Sequence, residues 1–421
     1  MLHGAIKAFL NKMFQLALYK YLLNTEYMPK LKAHQNAVDV AMKETDFPTI
    51  SQSWDFPTQL QAIEARIDAI NPLRYASTRN YIHGAVTLLS PYIARGVISL
   101  PQIRNRLLTR FTMAESEKLL QELAWREYFQ RIWQWYDNGI FNDVKQPQQR
   151  VLHRSIPQSI VAATTGIHGI DKAIEHLYAT GYMHNHCRMY TAMLTCNIAG
   201  AYWQLPASWL YYHLLDGDLA SNTLSWQWVA GAFSNKKYYA NQENINRYTL
   251  TEQKNTFLDL PYEHLPSIEV PAVLQTTTSL RLETQLPEAT SLQLDGSCPL
   301  LVYNSYNLDP YWHAERKVNR VLLLETQHFQ HFPVSNKVLT FIINLATQNI
   351  NGIQLFVGSF NDLQQAYVAK GGCQSTIWYK EHPTNKHYCG TQEARDWLYP
   401  HLSGNFGSFF AFWKQACRAA K

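Results

Sequence analysis

The chain has 421 residues, of which 46% are hydrophobic and 16% are charged. This balance excludes an intrinsically disordered protein, and the length predicts two domains that can each bury a core. The formal net charge of +5 permits a local basic groove for nucleic acid but is too small to indicate a dedicated basic binder. Six scattered cysteines without a C-x-x-C pair argue against a zinc ribbon and a disulfide framework, so we predict no metal site and a cytoplasmic location.

Residues 1–45 are predicted to form an N-terminal arm that contains an amphipathic helix. Apolar side chains between Leu2 and Leu16 repeat at helical spacing, and lysines interrupt them. These lysines and the lack of a small-residue cleavage site argue against a signal peptide. The helix is expected either to dock on the body of the protein or to lie on a membrane surface. Since no segment is long and apolar enough to span a bilayer, we predict no membrane partner.

Residues 46–262 show the pattern of a helical domain. Apolar residues recur at three- and four-residue spacing, with few alternating β-branched stretches. One long helix is predicted over residues 114–136, with the acidic Glu115 near its start, where a carboxylate favours the helix dipole. Further helices are predicted over residues 169–181 and 184–203.

Residues 263–294 are rich in Thr, Pro and Ser and are predicted to be a linker. Residues 295–421 alternate between strand-like and helical segments, which predicts a smaller α/β domain with a parallel, Rossmann-like sheet. The predicted strands cover residues 299–306, 319–326, 352–360 and 374–382, and the predicted helices cover residues 335–349, 361–372, 391–402 and 407–421. Ser335 is the predicted N-cap of the first of these helices. The predicted fold class is therefore mainly α, with a helical domain followed by an α/β domain.

The helical domain carries four short motifs in a fixed order. They are "VTLLSPYIARGVIS" (86–99), "LAWREYF" (123–129), "TGYMHNHCRMYTA" (180–192) and "LLDGDLASNTLSWQW" (214–228). Together they resemble the FAD-binding domain of the photolyase and cryptochrome family over about residues 70–250. Members of that family place an α/β antenna domain before the FAD domain. The resemblance therefore implies a chain that lacks the usual N-terminal antenna domain and carries an α/β domain after the helical one.

The resemblance implies FAD as the cofactor, bent into a U shape inside the helical bundle, and leaves an antenna chromophore unknown. Arg188 and Asp216 are expected to form a buried ion pair beside the flavin ring, and Asn222 is expected to face the flavin N5. Hydroxyl groups of residues 87–90 are expected to hold the phosphates near a helix N-terminus. The expected cofactor-binding residues are Tyr75, Thr87, Leu88, Leu89, Ser90, Arg126, Arg188, Asp216, Gly217, Asp218 and Asn222.

Two tryptophans match the inner members of the family's electron-transfer chain, namely Trp226 and Trp203. The position of the outer member falls on Arg150. Either another ring, such as Tyr182 or Trp209, completes the path, or photoreduction is poor. Tryptophans at helical spacing are also typical of an ordinary core, but the motifs in register favour the electron path.

The resemblance implies DNA with pyrimidine photoproducts as the partner of a monomeric protein. The expected substrate contacts are Glu122, Trp125, Asn185, Met189 and Trp228. Stacking of extruded bases on aromatic rings would offset the energy of unpairing. The expected catalytic residues are Glu122, Asn222, Trp203 and Trp226, with Glu122 stabilising the dimer radical anion.

Basic residues near these motifs have two interpretations. They either line a rim that contacts DNA phosphates or belong to solvated helix faces. The residues concerned are Arg104, Arg106, Arg110, Lys236 and Lys237.

Three positions depart from the family's motifs. His186 replaces an arginine and leaves a proton-transfer role open, while Leu224 and Ser225 replace two glycines and are expected to crowd the backbone. The expected function is an FAD-dependent, blue-light-driven, photolyase-like lyase that repairs pyrimidine dimers by electron transfer from reduced flavin. The alternatives are a cryptochrome-like blue-light photoreceptor that signals through a protein partner, and a flavin-binding relic without turnover.

Overall fold

The structure is a computed structural model that describes residues 54–288 and 291–419. The predicted N-terminal arm, residues 1–45, lies outside the described residues. From Trp54 onwards the chain forms one compact unit. Within the described part, no helix combines the length and the apolar character needed to cross a bilayer.

The first part of the described chain is helical. Its helices are α1 (Leu60–Asp68), α2 (Pro72–Thr78), α3 (Ser90–Ala94), α4 (Leu100–Leu108), α5 (Met113–Tyr136), α6 (Gln158–Val161), α7 (His168–Thr180), α8 (Asn185–Met193), α9 (Gln204–His213), α10 (Leu219–Ala230), α11 (Gln242–Thr249) and α12 (Ala272–Gln275). A π-helical turn, Leu194–Ile198, follows α8 directly.

Helix α5 is the longest helix described and begins one residue before the predicted bound. Its start is fixed by a capping box: the Thr112 hydroxyl accepts from the Glu115 backbone N–H at 3.3 Å, and the Glu115 carboxylate accepts from the Thr112 N–H at 2.8 Å. The helix buries Leu119, Tyr128 and Trp133 along its length. Helix α5 thus forms the central support against which both parts of the molecule pack.

Helices α9 and α10 form a hairpin joined by residues 214–218. So short a connection makes packed neighbouring helices antiparallel. The Asn222 side-chain amide on α10 donates to the Ala207 carbonyl on α9 at 2.9 Å, which sets the register of the pair. Trp226 lies four residues after Asn222 on α10, and Trp203, the N-cap of α9, lies four residues before Ala207. Both tryptophans belong to one buried cluster.

The segment predicted as a linker is fastened to the helical part. Strand β1 (Ile156–Pro157) pairs antiparallel with β2 (Thr277–Thr278), and Leu265 and Leu274 are fully buried. The assignment of residues 263–294 as a linker stays a prediction.

The last part of the described chain contains a parallel sheet flanked by helices. Its elements are β3 (Leu300–Tyr303), β4 (Asn319–Glu325), α13 (Thr326–His331), α14 (Asn336–Asn349), β5 (Ile353–Gly358), α15 (Phe360–Val368), β6 (Ile377–Lys380), β7 (Thr391–Glu393) and α16 (Phe409–Ala419). As predicted, Ser335 caps α14 by accepting from the Val338 N–H at 3.4 Å.

The sheet has the strand order β5-β4-β3-β6-β7, and its pairs are parallel. Along the chain, β4 and β5 are added on one side of β3, and β6 and β7 are then added on its other side. This is the doubly wound arrangement, with a topological switch point between β3 and β6. The predicted Rossmann-like sheet is present.

The helix predicted over residues 391–402 is wrong. Thr391–Glu393 is the edge strand β7, paired with Trp378–Lys380 of β6. The Glu393 carboxylate accepts from the Trp312 indole N–H at 2.9 Å and lies 2.8 Å from the His313 ring nitrogen. These long-range bonds outweigh the local helical preference of residues 391–393, while Leu398, Tyr399 and Leu402 bury their side chains without forming a helix.

The two parts of the molecule share one hydrophobic core. Tyr128 of α5, Leu301 of β3 and Phe412 of α16 belong to the same buried cluster. The buried Glu127 carboxylate of α5 also accepts from the backbone N–H groups of Leu398 and Tyr399, at 2.5 and 3.2 Å. The end of the α/β part is thereby bound to the long helix that carries one of the four motifs.

Candidate functional site

The loop between α9 and α10 and the start of α8 form a buried ion pair. The Arg188 Nη2 atom lies 2.8 and 3.0 Å from the two Asp216 oxygens, and Arg188 Nε donates to the Met183 carbonyl at 2.8 Å. Asp216 is buried, and the Arg188 side chain keeps 24% of its surface exposed. The two residues expected beside a flavin therefore hold each other while one edge of the guanidinium stays open.

Asp218 acts first as a structural cap. One of its oxygens accepts from the Ser221 N–H at 2.7 Å and caps α10. The other accepts from Gln130 Nε2 at 2.6 Å and lies 3.1 Å from the Arg126 guanidinium. Because Asp218 is only 2% exposed, this carboxylate ties α5 to α10. Its expected contact with a cofactor stays a prediction.

Asn222 lies one turn into α10 and is half-buried. One of its two amide N–H groups is used by the Ala207 carbonyl, so the side-chain oxygen and the second N–H remain for a ligand. Leu224 is buried in the core and Ser225 is exposed. Neither side chain interrupts α10, which runs to its left-handed cap at Gly231.

The segment expected to hold phosphates is strained. Leu88 has a φ of +53°, a conformation that costs a non-glycine residue energy and clusters at functional sites. Leu88 and Leu89 point into the core, whereas Thr87 and Ser90 are half-buried. Ser90 begins α3, which has five residues.

Two further expected cofactor residues differ in their surroundings. Burial raises the pKa of the Tyr75 phenol, which is therefore a neutral donor at ordinary pH. A Cβ atom added to Gly217 would lie 3.1 Å from the Leu214 carbonyl oxygen and 3.2 Å from the Tyr211 ring. A side chain at this point would therefore make tight contacts with the loop between α9 and α10.

Sequence reasoning missed Arg95, which is fully buried. Its Nε and Nη2 atoms donate to the carbonyls of Leu215 and Leu214, at 3.0 and 3.4 Å, beside the loop that carries Asp216. Nη1 of Arg95 and the hydroxyl of Ser221 have no hydrogen-bond partner within the described residues. Arg95 lies within the motif "VTLLSPYIARGVIS", but nothing in the sequence marks it as buried.

These groups fit the polar parts of a flavin dinucleotide. A buried polar atom without a partner is costly and indicates an absent ligand or water. A buried guanidinium without a carboxylate partner suits an anionic group, while the open Arg188 edge and the Asn222 amide oxygen suit the polar rim of a flavin ring. The donor set near residues 214–222 is therefore compatible with FAD.

Trp226 and Trp203 are both buried and belong to the same hydrophobic cluster. The Trp203 indole N–H donates to Asp143 at 2.6 Å. Arg150, at the position of the family's outer ring, donates instead to the Pro266 and Ile268 carbonyls, at 2.9 and 2.6 Å.

The two rings considered as substitutes have other neighbours. Tyr182 packs against Trp54, with 5.5 Å between ring centroids. Trp209 donates its indole N–H to the Tyr178 hydroxyl at 3.1 Å. The expectation that either ring completes the path gains no support from these contacts.

The expected substrate contacts do not form one open surface. Trp125 stacks on Phe409 of α16, with 3.7 Å between centroids and 10° between ring planes. Glu122 lies 2.9 Å from Lys118 and 3.4 Å from Arg79.

Three other expected contacts reach solvent. Asn185 is exposed, and its amide lies 3.9 Å from the half-buried Met189 sulfur. Trp228 is 37% exposed and lies 5.8 Å from the Tyr238 ring. On the expected substrate face, Asn185 and Trp228 are therefore exposed, whereas Phe409 covers one face of Trp125.

The two histidines of the "MHNH" segment are neutral at ordinary pH. Burial, together with the neighbouring His186, lowers the pKa of His184 to about 3. Burial and the Arg79 charge lower the pKa of His186 to about 4. A proton-donor role for His186 would require its protonation during the reaction, since the resting ring carries no charge.

Part of the basic rim is engaged within the molecule. Arg106 forms two bonds to the Asp68 carboxylate, at 2.6 and 2.7 Å, and Arg110 donates to the Ile67 carbonyl at 2.9 Å. Lys236 is exposed, and Lys237 donates to the Gln149 carbonyl at 2.6 Å. For Arg106 and Arg110 these contacts favour the second interpretation, an ordinary helix face.

A cleft opens at the switch point of the sheet, against α5. Asn307, Lys380 and Arg395 line it together with Arg126 and Gln130. Ligands of doubly wound folds bind at such points. Sequence reasoning missed this cleft, because the strand order is set by pairings far apart in the chain, and an antenna chromophore remains unspecified.

Comparison with known proteins identifies the helical part. Residues 119–259 match the family model described as the FAD binding domain of DNA photolyase. The matched region contains α5, α8, the α9–α10 hairpin and the polar groups around Asp216. This region is therefore similar to a photolyase-type FAD-binding domain, and FAD is the cofactor that the match indicates.

Curated relatives agree with this match. A deoxyribodipyrimidine photo-lyase of Salmonella typhimurium is 32% identical over 191 residues, which cover 42% of this chain and 40% of the relative. A cryptochrome DASH, chloroplastic/mitochondrial, of Ostreococcus tauri is 30% identical over 192 residues, which cover 44% of this chain and 34% of the relative. A crystal structure of a Synechocystis sp. PCC6803 cryptochrome matches 46% of this chain and 44% of its own, with 26% identity and a TM-score of 0.41.

The resemblance to the photolyase and cryptochrome family is confirmed. The chain spans about 40% or less of the lengths of these two curated relatives. The relatives include both photo-lyases and cryptochromes, so the shared region defines the cofactor domain and leaves the reaction open.

Proposed function

We propose that the protein is an FAD-dependent, blue-light-driven, photolyase-like flavoprotein that repairs pyrimidine dimers in DNA. The observation that carries this proposal is the polar cluster around residues 214–222. This cluster contains the Arg188–Asp216 ion pair, the Asn222 amide and Asp218, which caps α10. All of them lie within the residues that match the FAD-binding family model. When bound, reduced FAD supplies a light-driven electron to a substrate.

The chain's own residues have distinct tasks in this proposal. Arg188 holds the polar rim of the flavin ring while Asp216 keeps the guanidinium oriented. Asn222 would face the flavin N5 with its side-chain oxygen as acceptor or its second amide N–H as donor, since only one N–H is used by Ala207. Arg95 supplies a buried positive charge for an anionic part of the cofactor.

DNA with pyrimidine photoproducts is the proposed partner. Glu122 lies between Arg79 and Lys118, which keeps its carboxylate oriented beside the N-terminal half of α5. For this role Glu122 must take up a proton, since only the protonated carboxyl group can donate a hydrogen bond or supply a proton to charge that develops on the substrate. Trp228 offers an exposed ring for stacking of an extruded base.

An illuminated repair assay tests the proposal. Purified protein, reconstituted with FAD and reduced, is mixed with oligonucleotides that carry a cyclobutane dimer or a (6-4) photoproduct, side by side, in blue light and in darkness. We expect light-dependent repair of one substrate and a much lower rate for Glu122→Gln, with Glu117→Gln as the control variant on the same helix. A yellow protein that repairs neither substrate would exclude this function.

A second function, a cryptochrome-like photoreceptor, is favoured by one observation. Phe409 of α16 covers one face of Trp125, a ring expected to contact substrate. A C-terminal helix seated there could pass a light-induced change to a protein partner. Hydrogen exchange of residues 409–419 in darkness and in blue light tests this: faster exchange in light supports signalling, and identical exchange contradicts it.

A further inference from the structure

The aromatic neighbour of Trp203 is the residue that precedes it. Tyr202 has its ring centroid 5.8 Å from that of Trp203, with 46° between the planes. Rings at this separation are in contact range for tilted pairs. Tyr202 is therefore an oxidisable ring in contact with Trp203, and both belong to the buried cluster that contains Trp226.

One carboxylate bridges the two rings. The same oxygen of Asp143 accepts from the Trp203 indole N–H at 2.6 Å and from the Tyr202 hydroxyl at 3.1 Å. The other oxygen accepts from the Gln148 backbone N–H at 3.0 Å, which fixes the carboxylate. An ionised carboxylate in this position stabilises positive charge on an oxidised indole and can accept a phenolic proton.

Tyr202 is buried but lies against an exposed arginine. It is 9% exposed, and the guanidinium of the exposed Arg154 lies 4.4 Å from its ring centre. A cation over the ring opposes a second positive charge there, so oxidation of Tyr202 requires loss of its proton. Burial and the Asp143 charge raise the pKa of this phenol, which is therefore protonated before it is oxidised.

We propose that Tyr202 is the outer electron donor of this chain and that Asp143 is its proton acceptor. The inference rests on the proposed function for its oxidant, which is photo-excited flavin acting through Trp226 and Trp203. Tyr202 gives one electron to oxidised Trp203, and its O–H bond breaks as the proton moves to the Asp143 carboxylate. The products are restored Trp203, a neutral tyrosyl radical and a protonated Asp143. An external thiolate later gives one electron to the tyrosyl radical and becomes a thiyl radical, while Asp143 returns the proton to the Tyr202 oxygen.

The substitution at the expected outer position supports this assignment. Arg150 bonds to backbone carbonyls and brings no ring to the hairpin. Tyr202 instead offers a ring and a proton acceptor in one place, and it lies beneath the exposed Arg154. The proposed electron path therefore ends at Tyr202, one side chain away from solvent.

Flash photolysis of the FAD-loaded chain tests the proposal. A blue flash is expected to give a tyrosyl radical signal by transient absorption and electron paramagnetic resonance, with a solvent deuterium isotope effect on its formation. Tyr202→Phe removes this signal and leaves a long-lived tryptophanyl signal. Asp143→Asn keeps a side-chain oxygen for Trp203 but loses the base, and slows tyrosyl formation by about 100-fold. The control is Tyr262→Phe, at an exposed tyrosine distant in sequence.

A second arm separates this proposal from the proposed function. The full chain without flavin is oxidised by flash-quench with an external ruthenium complex, and the same signals are followed. If FAD does not bind, the proposed function fails, while loss of tyrosyl signal in Tyr202→Phe in the flavin-free arm still supports the relay. An unchanged tyrosyl signal in Tyr202→Phe, in either arm of the experiment, would show that Tyr202 is not the outer electron donor.

Discussion

The helical part and the α/β part of this molecule contribute to its candidate site in different ways. In the helical part, the polar groups that fit a cofactor come from short segments that contact one another, with Arg188 bound to Asp216 and Asp218 capping α10. The α/β part lies outside residues 119–259, which match the FAD-binding family model. Its Phe409 nevertheless stacks on Trp125, and two backbone N–H groups from this part donate to Glu127.

This difference separates two properties of the site. Cofactor binding depends on contacts inside one domain, which is also the region that matches the FAD-binding family. Access to the substrate face depends on how α16 packs against α5. Changes in the helical part should therefore affect flavin binding, and changes in α16 should affect the surface without removing the flavin.

Replacing Arg188 by Ala is expected to have the largest effect, because it should lower both the free energy of unfolding and the affinity for FAD. It leaves the buried Asp216 carboxylate without its partner, which typically costs about 3–5 kcal/mol. Urea unfolding should show this loss, and FAD binding should weaken in the same variant. Lys236→Ala, at an exposed site, should stay within about 0.5 kcal/mol of the parent. A loss below about 1 kcal/mol for Arg188→Ala would show that the pair is not buried as described.

Phe409→Ala tests the contribution of the α/β part. Phe409 is 2% exposed, and truncation of a buried Phe costs about 3–5 kcal/mol. Trp125 should become accessible to acrylamide quenching while FAD binding is retained. The matched control is Phe410→Ala, the next residue on α16, because Phe410 is 69% exposed. Equal effects of the two variants would contradict the stacking of Phe409 on Trp125.

His186 should make the helical part sensitive to acid. Its pKa is lowered from 6.5 to about 4 in the folded protein, so the unfolded chain binds a proton more readily between these values. Above pH 6.5 the His186 proton therefore does not affect the free energy of unfolding. As the pH falls from 6.5 towards 4, this free energy decreases by at most about 1.4 kcal/mol per pH unit. His186→Phe should reduce this slope by up to one proton, and His264→Phe, at an exposed site, should not. An unchanged slope in His186→Phe would refute the assignment.

The smallest expected effect concerns one of the replaced glycines. Ser225 is exposed on α10, so Ser225→Gly should cost only about 0.5 kcal/mol through helix propensity. FAD affinity should not change, which a titration would show. A large gain in affinity would mean that Ser225 does crowd the cofactor site.

Some of this structure could be predicted from the sequence, because local patterns determine it. The helix over residues 114–136 follows from its apolar spacing and the acidic residue near its start, and the α14 cap follows from Ser335. Strand β7 was missed because its pairing with β6 is a long-range interaction. The stacking of Phe409 on Trp125 joins residues 284 positions apart (409 − 125), and no local pattern indicates such a contact.

The candidate site shows the same division. The four motifs indicated Arg188, Asp216 and Asn222, whose polar groups gather around one loop. Arg95 was missed because burial of an arginine depends on the packing of the whole domain. Tyr202 was missed because its role comes from Asp143, which lies 59 positions away and belongs to none of the motifs.

An FAD titration of the flavin-free chain, followed by flavin fluorescence, tests the central claim most directly. The account predicts saturable quenching with one FAD per chain in the parent and in Phe409→Ala, and a large loss of affinity in Arg188→Ala. Absence of saturable FAD binding in the folded parent chain would contradict the account.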